Sequence, residues 1–121
     1  MKIPSDHAIT AADAIQKMNH ALINSGNTSA PEISATVQAL ITLVDRLPEA
    51  LGRLSNHLVR EEKAARVRMD DNSDPAKAVV WVDTFLTDAD SDLADVSKSL
   101  HAAGSLLFKM GQPYEGEDEV R

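Results

Sequence analysis

The chain has 121 residues, a formal net charge of −7, 43% hydrophobic residues and no cysteine. That length fits one domain with a real core. The missing cysteines exclude disulfides, thiolate metal sites and cysteine catalysis. With one Trp, one Tyr and two Phe, the core has to be aliphatic, which favours helices over a β-sandwich. Charge is unevenly placed: residues 1–29 sum to zero, 30–68 carry six basic and five acidic groups, and 69–121 carry four basic and twelve acidic. Such acidity repels nucleic acid and anionic membrane, so neither is expected as a direct partner. No apolar run approaches the ~20 residues of a membrane span. The start "MKIPSDHAIT" lacks an apolar signal core, so a cytoplasmic protein is expected, with export by a route needing no classical signal peptide as the alternative.

The first predicted helix covers about residues 6–24, starting near Ser5 or near a Thr10 cap closed by Asp13. Ala8, Ala11, Ile15, Met18 and Leu22 recur on one face, and Gly26 ends it.

The second opens at "SAPE", with Ser29 as cap, Pro31 in the first turn and Glu32 closing the box. It then carries Ile33, Val37, Leu40, Val44, Leu47, Leu51, Leu54 and Leu58 at alternating steps of four and three. In heptad letters Val37, Val44, Leu51 and Leu58 are a, and Ile33, Leu40, Leu47 and Leu54 are d, a coiled-coil type of seam. Pro48 lies inside this run and should cost ~3 kcal/mol in a helix interior. The seam keeps phase across it, so one helix over about 30–68 is predicted, and a break near Leu47, giving a four-helix bundle, is the competing reading.

A turn at "MDDNSDP" follows, with Asp74 as cap and Pro75 at the first helical position. The third helix, about 75–110, repeats the seam with Val79, Val82, Leu86, Ala89, Leu93, Val96, Leu100, Ala103, Leu107 and Met110. Ala89, Ala103 and Gly104 are small enough to admit a neighbouring helix closely. The acidic segment 112–121 reads as a flexible tail. The fold is therefore all-α, a three-helix bundle on a long antiparallel hairpin, in one helical domain over 1–111. The short first helix should cover only the half of the hairpin away from its turn.

One stretch, "TDADSDLAD", looks like chemistry, because Asp88, Asp90 and Asp92 match the opening of a calcium loop. Its sixth and twelfth places, however, are Leu93 and Ser99 instead of Gly and Glu, and Ala89 and Leu93 carry the heptad straight through. Thr87 with Asp90 could also cap an internal hinge. As helix, Asp88 and Asp95 are c and Asp92 is g, while Arg53 and Arg60 are c and His57 is g on the preceding helix. This predicts an electrostatic flank, with Arg53, His57 and Arg60 near Asp88, Asp92 and Asp95, that locks antiparallel register at ~0–1 kcal/mol per exposed pair.

His7, His20, His57 and His101 lack the spacing that places metal ligands on one helix face, so no metal or cofactor is expected. The basic run Arg60, Lys63, Arg66, Arg68 is interrupted by Glu61 and Glu62 and has no aromatic neighbours, so it reads as a helix C-terminus. No nucleophile or phosphate-loop motif is present, and an enzyme is not expected. Val59, Val80, Trp81 and Phe85 lie off the seam in the half the first helix cannot reach. They are the candidate interface of a non-enzymatic protein–protein interaction module, an accessory or adaptor protein that forms a homodimer or meets another helical partner. An acidic decoy that engages a nucleic-acid-binding protein is an alternative. Tyr114 and Asp118 in the tail form a Y-x-x-x-D pattern. With the helical hairpin, that tail resembles the WXG100 family of small exported hairpins, although the turn has no W-x-G. The resemblance implies export and pairing with a second hairpin protein.

Overall fold

The computed structural model describes residues 2–111. It holds three helices, α1 (Pro4–Asn24), α2 (Ala30–Lys63) and α3 (Pro75–Phe108), and no strand among the described residues. The chain is all-α, three helices on an antiparallel hairpin in which α2 and α3 pack closely. The tail, with Tyr114 and Asp118, lies outside the described residues.

Local chemistry sets the helix starts. The Ser29 hydroxyl accepts from the Glu32 N–H at 3.2 Å, and the Asp74 carboxylate accepts from the Ala76 N–H at 3.0 Å. Pro31 and Pro75 sit in first turns, where no intrahelical N–H is required. At α1 the start near Ser5 holds, and the alternative Thr10 cap is not used. The helix begins earlier, at Pro4, where the Asp6 carboxylate accepts from the Ile3 N–H at 3.1 Å. Thr10 donates instead to the Asp6 carbonyl from within the helix. Gly26 follows the end of α1 with φ of 73°, a conformation that favours glycine.

α2 runs unbroken through Pro48, so the four-helix reading fails. Proline removes one backbone bond to Val44, but its half-buried ring sits on the side of the helix that faces α3. α2 stops at Lys63, five residues short of expectation. The Arg66 N–H donates to the Glu61 carbonyl and the Ala65 N–H to the Glu62 carbonyl, both at 2.9 Å. This is a Schellman end in which Ala65, at φ of 58°, occupies the position glycine usually takes. The Arg66 guanidinium bridges back to both Glu61 oxygens at 2.8 and 3.0 Å.

The packing face is rotated from the predicted one. The a residues Val37, Val44, Leu51, Leu58, Leu86, Leu93, Leu100 and Leu107 are half-buried and Val79 is buried, as expected. The second row, however, is mainly e, although Leu40 and Ala89 at d stay half-buried. Ile41, Ser55 and Gly104, all at e, are buried, whereas Ile33, Leu47, Leu54, Val82 and Val96, all at d, are exposed. The cause is close approach. A Cβ on Gly104 would stand 2.9 Å from Gln38 Nε2 and 3.3 Å from Ile41 Cδ1, so any side chain there would make these neighbours shift. α1 does not supply the expected cover: it buries no residue, and the helix packing is between α2 and α3.

Candidate functional site

The start of α3, "PAKAVVWVDTFL", is apolar on nearly every side, a pattern normally reserved for a buried helix. Only Val79 is buried there. Trp81 and Phe85, four residues apart, stack with ring centroids 5.8 Å apart and planes at 27°. Each remains 62% exposed, and Val80 is 65% exposed. Ala76, Lys77, Val80 and Trp81 line a shallow depression beside the stack. Val59 is half-buried on α2. Val59 and Val80 share heptad position b, at the side of the hairpin, whereas Trp81 at c and Phe85 at g point away from α2.

The flank of Arg53, His57 and Arg60 against Asp88, Asp92 and Asp95 is not brought together. All six are exposed, and among the described residues no ion pair joins the two sets. Arg53 instead pairs along its own helix with Glu49 at 2.8 Å. Rotation of the seam from a/d to a/e explains this. It turns g by roughly 50° further from the partner helix, so both charged rows become outward faces on opposite sides of the hairpin. α3 passes through Thr87–Asp95 as unbroken helix, with neither a calcium loop nor a hinge. Among the described residues no group of three or more metal-ligating side chains gathers.

The cross-helix polar links are others, which the periodicity did not reveal. Ser55 is buried and donates to the Asp83 carboxylate. Beside them Leu51, Gly52, Asn56, Thr87 and Asp90 line a small notch of about 140 Å³. Further along, Asp45 accepts from the Ser97 hydroxyl at 2.5 Å and lies 3.4 Å from His101 Nε2. The Ser97 hydrogen bond, helped by His101, holds the Asp45 carboxyl below its ordinary range. Ser55, Asp83 and Ser97 sit at e, whereas Asp45 and His101 sit at b, so no single heptad row marks these contacts.

No protein-family model, curated protein or solved structure matches the chain. The likeness to WXG100 hairpins thus rests on shape and the tail pattern alone. No helix among the described residues is long and apolar enough to cross a membrane.

Proposed function

We propose that the protein is a non-enzymatic helical interaction module that self-associates and serves as an accessory or adaptor protein. The observation that carries this reading is the Trp81–Phe85 stack, 62% exposed at each ring. Trp is enriched at binding hot spots, and a stacked aromatic pair left in water is costly unless another surface covers it. The exposed d row, Ile33, Leu47, Leu54, Val82 and Val96, supports the same conclusion. In an antiparallel pair with this packing, the d rows of both helices lie on one side.

Trp81 is the only tryptophan, so its emission reports on the candidate surface alone. The full chain, 13.1 kDa, is expected to gain mass in sedimentation equilibrium as concentration rises, with a blue shift of Trp81 emission in parallel. A monomer at every concentration, with solvent-exposed emission throughout, contradicts the proposal.

The acidic-decoy reading keeps one specific support: Asp88, Asp92 and Asp95 have no arginine partner among the described residues. It predicts salt-sensitive binding of a basic DNA- or RNA-binding domain in competition with nucleic acid. An absence of binding at low salt ends it.

A further inference from the structure

We propose that the second copy docks edge to edge, laying the outward face of its α2 on the outward face of α3. This rests on the self-association reading and names the partner surface of the same site.

The two faces are complementary in charge. On α3, positions c and g from Trp81 to Asp95 hold Trp81, Phe85, Asp88, Asp92 and Asp95, with no cation. On α2, the c and g positions from Leu43 to Arg60 hold Leu43, Arg46, Ala50, Arg53, His57 and Arg60, and the one anion beside them, Glu49 at f, is outnumbered by the three arginines. Apart from Leu43 every one of these side chains is exposed. The hairpin rotates both rows away from its own seam, so a single copy cannot join them.

The heights match as well. Ser55 meets Asp83 and Asp45 meets Ser97 across the hairpin. To within one helical turn, Arg46 therefore stands level with Asp95, Arg53 with Asp88, His57 with Phe85 and Arg60 with Trp81. A neighbour placed beside α3 without vertical shift brings these pairs together, antiparallel and in register. Arg53 uses Nε and Nη2 on Glu49, which leaves other guanidinium donors for Asp88. Arg60 lies over the Trp81 ring as a cation–π partner. The pairing is the register lock that the sequence suggests, formed between copies. Because each copy offers one face of each kind, the contact is heterologous, so assembly continues past a dimer or closes as a ring.

Two charge-reversed variants of the full chain test this. One carries Arg53→Asp and Arg60→Asp, the other Asp88→Arg, Asp92→Arg and Asp95→Arg. Each alone should be monomeric in sedimentation with unchanged helical circular dichroism. Mixed in equal amounts, they should assemble alternately to wild-type mass. A control with Asp13→Arg and Asp70→Arg, off both faces, should associate as the wild type does. Raising NaCl from about 0.05 to about 0.5 M should weaken wild-type association at least ~10-fold. Association of the wild type that neither salt nor either reversal weakens would overturn the edge-to-edge contact and leave self-association standing. A wild type that never associates would overturn both.

Discussion

Along α3, Val79, Leu86, Leu93, Leu100 and Leu107 turn toward α2, while Trp81, Phe85, Asp88, Asp92 and Asp95 turn toward solvent. Both rows have the same heptad spacing. The inner row is interleaved with small groups, Ala89, Ser97 and Gly104, that let another helix come close. The outer row carries two aromatic rings and three carboxylates, which are bulky or unneutralised. Periodicity thus marks where a stripe runs, and the size and charge of its members decide whether the chain's own neighbour can cover it. In our account the inner face makes the fold and the outer face is kept for another copy.

The sharpest way to separate the faces is to damage the inner one. Ile41, at 5% exposure, is among the most buried side chains in the hairpin. Ile41→Ala should cost about 2–4 kcal/mol in chemical denaturation, since a cavity opens between two helices with little else to close it. Gly104→Leu should cost about 2 kcal/mol, because the new side chain collides with Gln38 and Ile41. Gly104→Ala should be far milder: the Gln38 side-chain end can swing aside, and alanine gains roughly 1 kcal/mol of helix propensity.

A change that touches neither face should alter stability alone. Ala65→Gly relieves the positive φ at the Schellman end and should stabilise the hairpin by about 0.5–1 kcal/mol. It should leave association unchanged. The smallest effect concerns pH. The Asp45 carboxyl is held below its ordinary pKa of 3.8 by Ser97 and His101. Its contribution to stability is therefore present above that value and lost as pH falls through the lower, folded one. Melting temperatures of the wild type and of Asp45→Asn should differ near neutrality and converge in acid.

Much of the fold was legible. Ser29 with Pro31, and Asp74 with Pro75, announce two helix starts, and Gly26 announces an end. The a row is visible because Val and Leu recur every seventh residue. The choice between d and e was not legible, for a physical reason. The d residues Ile33, Leu47 and Leu54 are larger and more apolar than Pro48 and Ser55 at e, so hydrophobicity favours d. Close approach favours small groups instead, as Gly104 opposite Ile41 illustrates. The end of α2 was hidden because Ala65 adopts a glycine-like conformation without being glycine. α1 shows that spacing predicts an apolar stripe but not what meets it. That Trp81 and Phe85 lie outside the seam followed from their c and g positions. In our proposal they meet a second molecule, which one chain's periodicity does not contain.

The most direct test of the two-face account is sedimentation equilibrium of the wild type and of Trp81→Ala at low salt, with stability measured on the same samples. Trp81→Ala should change unfolding free energy by less than about 0.5 kcal/mol and weaken association at least ~10-fold. A Trp81→Ala protein that unfolds readily yet associates as the wild type does would place Trp81 in the fold and contradict the account.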